Sequence, residues 1–384
     1  MPQQRDPPGH VLVVGSGIAG LETVIALRAL ASASLRITLV TAEPTFRYRP
    51  LELGEPFGYG RPRHHDIVAL GDELGIDVLC DTLESVDPEQ RTVRLHGSGD
   101  VSFDTLVVTI GARPYPAYEH GVTFDRASDT ASFDEVLEDR RAGLVSRLAI
   151  LVPPGVSWTL PAYELALFVM ADAAGQDIEV TVVTPEPAPL AAFGERVSAA
   201  VQDLLRGHGV RVRTGSLAEP MADTALMVLP EGVWVEVDRI VALPSLGGPR
   251  LPGLPCDAHG FIPVDDMGRV PGAGDIYAAG DGTTYWMKQG GLAAQQADVI
   301  ARQIAKASGA DAEPQPLRPV LRGVLPTLDG PRYLRADLTG REPPQISDQP
   351  LWWPATKVAS RWLGPYLARR EADAEAGSGS ASTG

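Results

Sequence analysis

The fold is decided by residues 11–20, which read Val11-Leu-Val-Val-Gly15-Ser-Gly17-Ile-Ala-Gly20. The apolar start predicts a short buried strand, and the apolar residues after Gly20 recur at helical spacing. Gly15 permits a tight turn, Gly17 lets the backbone approach a pyrophosphate, and Gly20 lets the helix pack against the strand. The first helical amides, at Ile18 and Ala19, lie at the positive end of the helix dipole. The stretch therefore predicts a dinucleotide-binding turn.

The next segment completes the opening unit of a doubly wound α/β domain. Residues 35–40 (LRITLV) predict a second strand. An acidic residue that holds the ribose is expected where this strand ends. Thr41 occupies that place and Glu43 lies two residues further on, so we assign the ribose contact to this pair.

A second α/β passage follows the first. Residues 147–152 and 178–183 predict strands, and residues 162–171 between them predict a buried helix. The order and size of these elements match the first passage, which predicts two nucleotide-type domains. Residues 244–255 (PSLGGPRLPGLP) are rich in proline and glycine and predict a linker back to the first domain.

The composition excludes several classes of function. The chain has 33 Lys+Arg against 49 Asp+Glu, a net charge of −16, and such a field repels nucleic acid. Two cysteines cannot form a disulfide framework or a four-ligand zinc site, and we expect no metal. No apolar run approaches the ~20 residues that span a bilayer. Without the apolar core of a signal peptide, we expect a cytoplasmic protein.

A downstream motif identifies the dinucleotide. The stretch Gly274-Asp-Ile-Tyr-Ala-Ala-Gly280-Asp281-Gly resembles the second flavin-binding motif of two-dinucleotide flavoproteins, and Thr109-Ile-Gly111-Ala112 resembles the strand-end motif of the same FAD domain. The resemblance implies that Asp281 binds the ribityl chain. It implies non-covalent FAD in the first site.

Three further stretches resemble the sulfide:quinone oxidoreductase branch, which is related to type II NADH dehydrogenases. They are residues 46–51 (FRYRPL, with Arg49 and Pro50), residues 183–190 and residues 288–297. The resemblance covers roughly residues 10–305. It implies that Lys288 lies beside the flavin and that the amides of Gly290, Gly291 and Leu292 point to its pyrimidine edge.

The motifs together predict an α/β fold of two Rossmann-type domains, one for FAD and one of the NAD(P) type, with a C-terminal helical segment. The predicted division is 8–120 (FAD domain, first part), 121–245 (second, degenerate Rossmann-like domain), 246–310 (FAD domain, second part), 311–370 (C-terminal segment) and 371–384 (disordered tail).

The chain departs from the sulfide-oxidising pattern, which needs two redox cysteines. The stretch that ends in Pro-Ala-Tyr-Glu164 resembles the region of one of them, and Trp158 stands in its place. Residues 321–328, near the expected second cysteine, contain none. Cys80 and Cys256 match neither position, and we expect them to be buried structural thiols.

The second dinucleotide turn is also damaged. It reads Pro153-Pro154-Gly155, and its prolines lack the N–H groups that a pyrophosphate would use. NAD(P)H stays open as a second cofactor, although no motif supports it.

The C-terminal piece, residues 351–367, carries an apolar stripe of Val358, Trp362 and Tyr366 at four-residue spacing. This pattern suits an interfacial helix at the inner face of a membrane. It suits equally a helix packed over the flavin or across a homodimer contact.

We therefore expect an FAD-dependent oxidoreductase that passes electrons from an unidentified donor to a quinone or similar small molecule. Two alternatives stay open: an NAD(P)H dehydrogenase of the same fold, and a flavin-binding partner or regulatory protein with reduced catalysis. The sequence assigns no catalytic residue.

Overall fold

A computed structural model describes residues 9–31, 35–60, 63–124, 130–173 and 175–381 of the chain. Its first elements alternate between strand and helix and then form an antiparallel meander. They are β1 (His10–Val14), α1 (Ile18–Ala31), β2 (Arg36–Thr41), β3 (Thr45–Arg47), β4 (His64–Asp66), α2 (Ile67–Leu74), β5 (Asp77–Cys80), β6 (Leu83–Asp87), β7 (Thr92–Leu95), β8 (Gly99–Ser102) and β9 (Thr105–Val108).

The middle of the chain repeats this alternation. Its elements are β10 (Arg113–Tyr115), β11 (Val122–Thr123), α3 (Thr130–Arg141), β12 (Arg147–Leu151), α4 (Leu160–Asp172), β13 (Glu179–Val183), α5 (Glu195–Gly207), β14 (Val210–Arg213), β15 (Leu217–Ala222), β16 (Ala225–Leu229), β17 (Val233–Glu236), β18 (Arg239–Ala242) and β19 (Ser245–Gly247). The last part contains β20 (Ile276–Ala278), α6 (Gly290–Ala307), β21 (Val320–Leu325), β22 (Arg332–Asp337), β23 (Gln345–Ser347) and α7 (Leu363–Ala381).

Two parallel sheets of the same design form the body of the molecule. Within the described residues the first has the strand order β20-β9-β1-β2-β5 and the second the order β11-β18-β12-β13-β14. Each is accompanied by an antiparallel three-stranded meander, β6-β7-β8 and β15-β16-β17. Parallel strands need crossover connections, and helices supply them in both sheets. The predicted fold of two Rossmann-type domains is confirmed.

The packing of α1 against α6 fixes the first domain. Nearly the whole of α1 is buried, and the alanines of α6, among them Ala293, Ala297 and Ala301, are buried as well. Small side chains let two helices approach closely. The first turns of both helices therefore lie near the glycine turn after β1.

The C-terminal segment differs from the predicted helical segment. It contains an antiparallel sheet, β21-β22-β23, before α7. The helix begins only at Leu363, after an irregular stretch that holds Val358. Pro365 lies in its first turn, where proline is tolerated.

The stripe residues face the protein. Val358 is buried, and Trp362 and Tyr366 pack against the core of the first domain. Trp362 Nε1 donates a hydrogen bond to Asp298 Oδ1 at 2.7 Å, and the Tyr366 hydroxyl donates one to Glu73 at 2.6 Å. The stripe therefore serves internal packing.

Helix α7 continues to Ala381, into the segment for which the sequence predicts a disordered tail. Alanine, arginine and glutamate, which favour helix, dominate residues 368–375. Residues 382–384 lie outside the described residues. Across the described ranges, no helix has the length and apolar character needed to cross a membrane.

Candidate functional site

The three glycines of the first turn meet different surroundings. A Cβ on Gly15, whose φ is +104°, would lie 2.5 Å from the Thr109 carbonyl oxygen, and a Cβ on Gly20 would lie 1.8 Å from the Gly15 carbonyl oxygen. A Cβ on Gly17 would meet no protein atom within 4 Å in the described residues. Gly15 and Gly20 therefore serve the packing of the turn, whereas Gly17 opens a cradle over the start of α1.

The cradle suits a phosphate group. The first helical hydrogen bond of α1 runs from the Leu21 amide to the Gly17 carbonyl at 3.0 Å. The amides of Ile18, Ala19 and Gly20 precede it, so they have no acceptor within the helix. They face an opening at the positive end of the helix dipole. The residues at this turn fit the pyrophosphate of a dinucleotide.

The predicted ribose residues behave differently from each other. Thr41 is buried, and its hydroxyl lies 2.6 Å from the Ser16 hydroxyl and donates to the Glu43 carbonyl. Its side chain therefore ties the glycine turn to the end of β2. The Glu43 side chain is exposed beside this turn. Of the two residues, Glu43 is therefore the one whose side chain can reach a ligand.

The loops after β9 and β20 close around each other. A Cβ on Gly282 would lie 2.7 Å from the Gly111 carbonyl oxygen, and Ala112 follows on the surface of this contact. The Gly280 amide donates to the buried Gln296 side chain at 2.7 Å. This arrangement holds Asp281 at the end of β20.

A cavity of about 710 Å³ lies between the two domains. The first domain contributes Ile18, Arg49 and Pro50, and the α6 end contributes Asp281, Lys288 and Gly290. Six aromatic side chains form much of the remaining wall: Tyr115, Phe124, Trp158, Phe261, Tyr285 and Trp286. Six predicted cofactor residues from three separate stretches therefore meet at one cavity.

Asp281 and Lys288 form a charged pair at this cavity. Burial raises the pKa of Asp281 to about 6, against the opposing effect of the Lys288 charge. Burial lowers the pKa of Lys288 to about 8, opposed by Asp281 and Asp257. The ammonium group donates to the Thr283 carbonyl and lies 3.9 Å from the centre of the Phe261 ring. Lys288 is therefore a partly desolvated cation at the cavity wall.

The start of α6 reaches the cavity with part of the predicted set. Gly290 lines it. The Leu292 amide instead donates to the Gln289 side chain, which caps the helix at 2.8 Å, and the Leu292 side chain is buried. Gly291 is buried against the same glutamine. Of the three amides, that of Leu292 is thus already bonded within the protein.

A second charged pair lines the cavity, and the sequence did not reveal it. Lys357 Nζ lies 2.8 Å from Oε1 of Glu164, which is almost completely buried. Burial raises the pKa of Glu164, and Lys357 opposes this shift. The signal that could have found the pair is the scarcity of lysine, since Lys357 is one of three in the chain.

Trp158, which stands at one expected cysteine position, and two residues of the stretch 321–328, Gly323 and Val324, line the same cavity. A Cβ on Gly323 would lie 3.4 Å from Cη2 of Trp158, and both residues line the wall. Cys80 and Cys256 are not among the lining residues. Both are exposed, so the expectation of buried thiols was wrong. Cys80 ends β5, the edge strand of its sheet, where one side of the strand meets solvent.

In the second domain, the acidic residue at the expected ribose position is hydrogen-bonded by groups of the protein itself. Glu186 follows β13, at the position where a dinucleotide's ribose would be held. Its carboxylate accepts hydrogen bonds from the Tyr163 hydroxyl at 2.7 Å and from the Ala191 amide at 3.2 Å. Tyr163 is completely buried. The Pro153-Pro154 turn and this pairing both differ from the open cradle at the first turn.

Comparison with known proteins identifies relatives among ferredoxin reductases and sulfide-quinone reductases. The ferredoxin reductase component of a chlorobenzene dioxygenase from Cupriavidus sp. (strain PS12) is 27% identical over 317 residues, which cover 78% of this chain and 73% of that protein. A sulfide-quinone reductase from Aquifex aeolicus (strain VF5) is 27% identical over 188 residues, 46% of this chain and 43% of that protein. The structure of a sulfide:quinone oxidoreductase from Aquifex aeolicus shares the fold, with a TM-score of 0.80 at 20% identity over 88% of this chain and 87% of that one.

The family resemblance and the FAD cofactor predicted from the motifs are confirmed. The sequence profile of the pyridine nucleotide-disulphide oxidoreductases matches residues 9–297, three quarters of the chain. The chain therefore belongs to the pyridine nucleotide-disulphide oxidoreductase family, whose members bind FAD.

Proposed function

We propose that this oxidoreductase passes electrons to a small apolar acceptor of the quinone class at the cavity between its domains. The observation that carries the proposal is the wall of six aromatic side chains, together with the charged side chains of Asp281, Lys288, Glu164 and Lys357. The volume of about 710 Å³ would be shared by the flavin ring and an adjoining small acceptor. A cytoplasmic location at the inner face of the membrane, where such a quinone is met, is part of the proposal.

Different residues of the chain would hold successive parts of FAD. The amides of Gly17, Ile18 and Ala19 would receive the pyrophosphate, and Asp281 the ribityl chain. Lys288 would place a positive charge beside the ring system. When bound, FAD supplies two-electron redox chemistry. The partly desolvated ammonium group would favour negative charge at the ring.

Reduction of a quinone to a hydroquinone consumes two electrons and two protons. A hydride from reduced FAD would account for both electrons and one proton, so the cavity needs a source for the second proton. Glu164 is the suitable group, because it lies buried at the cavity wall and burial raises its pKa, which favours the protonated form. Lys357 stabilises the carboxylate after the proton leaves. Solvent would replace the proton through the open side of the cavity.

The donor remains the open part of the proposal. Sulfide is disfavoured because Trp158 stands at one expected cysteine position and residues 321–328 contain no cysteine. The ferredoxin reductase relatives favour a second candidate, in which NAD(P)H and a small electron-carrier protein are the partners. The internal pairing of Glu186 with Tyr163 argues against that donor. A flavin-binding protein with reduced catalysis is a further alternative for the function. A homodimer is the proposed alternative for the oligomeric state.

Anaerobic photoreduction followed by addition of menadione tests the proposal. We expect saturable reoxidation of the flavin within seconds. Glu164→Gln should slow this step at least ~10-fold at neutral pH, the usual effect of losing a proton donor. Glu219→Gln, at an exposed glutamate of β15, is the matched control and should reoxidise normally.

Reoxidation only by oxygen would contradict the quinone proposal and favour the non-enzymatic alternative. Equal rates in Glu164→Gln and in the wild type would remove the assigned proton role. Circular dichroism of both variants checks that they remain folded.

A further inference from the structure

A second cavity, of about 610 Å³, lies on the outer side of α6. Its walls are α6, the connection at residues 313–318, strand β21 and residues 352–361. Within the described part of the chain it shares no lining residue with the cavity between the domains. The proposed flavin and quinone chemistry makes no use of it.

Four arginines line this second cavity: Arg302, Arg318, Arg322 and Arg361. Such a cluster stands out in a chain whose net charge is −16. Three carboxylates, those of Glu22, Asp298 and Glu313, share the wall. The positive groups therefore outnumber the negative ones locally.

Two of the three carboxylates are already engaged within the protein. Glu22 accepts hydrogen bonds from the backbone amides of residues 361–363 at 2.6–2.9 Å. Asp298 accepts from Trp362 Nε1 at 2.7 Å and from Arg302 Nε at 3.0 Å. Asp298 also lies 3.9 Å from Arg361, so among the described residues Arg318 and Arg322 are the two arginines of this wall without an ion-pair partner.

Some nitrogen atoms of these guanidinium groups lack acceptors. Among the described residues, buried Arg302 Nη2 and Arg322 Nε have no hydrogen-bond acceptor. The Arg318 side chain, which is exposed, makes no hydrogen bond or ion pair within the same residues. A buried unpaired donor costs stability. An oxyanion in this cavity would supply acceptors to a wall that otherwise lacks them.

An aromatic side chain stands beside the arginines. Trp352 is fixed, because its ring contacts Tyr333 edge-on and its Nε1 donates to the Thr356 carbonyl at 2.9 Å. The neighbouring Trp353 is 88% exposed, although it also lines the cavity. A ring of this size left in water is a contact surface for a planar or apolar group.

We propose that this second cavity binds a small organic polyanion. Arg302, Arg318 and Arg322 would hold its charged groups, and Trp353 would cover its carbon skeleton. Arginine forks bind phosphate and carboxylate equally well, so the chemistry proposed is a ligand with at least two oxyanion charges.

Isothermal titration of the flavin-loaded full-length protein tests this site, with inorganic pyrophosphate and citrate as separate probes. Sodium chloride holds the ionic strength constant, which removes general screening. We expect saturable binding of at least one probe, a rise in melting temperature and a change in tryptophan fluorescence that Trp353→Phe abolishes. Binding of pyrophosphate alone would identify a phosphate ligand, and binding of citrate alone a polycarboxylate.

Arg318→Gln and Arg322→Gln should each weaken the binding by at least ~10-fold, as expected for loss of a charge-assisted hydrogen bond. Arg318 is exposed, so its replacement should leave the fold intact. Arg206→Gln, at an exposed arginine of α5, is the matched control. No saturable binding of either probe, or unchanged affinity in Arg318→Gln, would overturn the proposal. Neither result depends on the quinone reaction.

Discussion

Gly17 differs from its two neighbouring glycines in what a side chain would meet. A Cβ there finds open space, whereas a Cβ on Gly20 would collide with backbone. The same motif therefore contains one position that serves a ligand and two that serve the packing of the turn.

We expect Gly17→Val to lose FAD while the protein stays folded. The branched side chain would fill the space that the pyrophosphate needs, without touching protein atoms of the described chain. The flavin-to-protein absorbance ratio after purification measures the loss, and circular dichroism measures the fold. Gly20→Ala is the contrasting variant, since it should destabilise the domain itself. A Gly17→Val protein with a full complement of FAD would contradict the assigned role.

The second residue-scale prediction concerns Trp158. Capture of sulfide needs a thiolate beside the flavin, and an indole cannot form a persulfide. We expect anaerobic sulfide to bleach the flavin no faster than it bleaches free FAD, as followed at ~450 nm. Trp158→Cys alone should not restore turnover, because residues 321–328 offer no second thiol. Rapid, saturable bleaching that survives Cys80→Ser and Cys256→Ser would show that thiols are not required.

At the scale of elements, α1 and α7 are joined through one carboxylate. Glu22 on α1 accepts hydrogen bonds from the amides of Arg361, Trp362 and Leu363, at the start of α7. Burial raises the pKa of Glu22 from its ordinary value of 4.5 to about 7, against the lowering effect of these bonds. The attachment of the C-terminal segment therefore depends on a titratable group.

This attachment should make stability depend on pH. Between pH 4.5 and 7 the folded protein binds more protons at Glu22 than the unfolded chain does, so the free energy of unfolding falls as the pH rises. The stabilisation that comes from Glu22 is fully present below the pKa of the unfolded chain and is lost as the pH rises through the pKa of the folded protein. Its total is on the order of 3 kcal/mol.

Urea unfolding of the wild type and of Glu22→Gln at several pH values measures the effect. We expect the difference in the free energy of unfolding between the two proteins to change between pH 4.5 and 7. Glu73→Gln, at the exposed partner of Tyr366 and Arg370, should keep the wild-type pH dependence. Parallel curves for the wild type and Glu22→Gln would show that Glu22 does not titrate in this range.

Local patterns predicted the parts of the molecule that depend on neighbouring residues. The glycine turn requires Gly15, Gly17 and Gly20 within six positions, and Asp281 and Lys288 lie on one loop. The sequence did not predict pairs between residues distant along the chain. The partner of Glu164, for example, is Lys357 from the C-terminal segment. The stripe of Val358, Trp362 and Tyr366 kept helical spacing, yet the helix begins only at Leu363. Four-residue spacing alone does not distinguish a helix from an irregular segment whose side chains are packed.

At the scale of the whole molecule, the chain contains one design twice with different outcomes. Both sheets have a central strand that leads through a turn into a helix, β1 to α1 and β12 to α4. The first turn keeps its glycines and its open cradle. The second has Pro153 and Pro154 in the turn. Duplication of the fold therefore does not imply two dinucleotide sites.

We accordingly expect NADH and NADPH to be poor electron donors. Pro153 and Pro154 cannot donate hydrogen bonds to a pyrophosphate, and Glu186, bonded to Tyr163 and to the Ala191 amide, is unavailable to a ribose. In anaerobic stopped-flow mixing, flavin bleaching by either nucleotide should stay slow and should not saturate. Photoreduction of the same sample is the control that the flavin can be reduced. Tyr163→Phe would free one oxygen of Glu186 but leave the prolines, so it should not create a fast reaction. Fast, saturable bleaching of the wild type would place NAD(P)H in the cleft by contacts other than the glycine turn, and would favour the ferredoxin-reductase alternative.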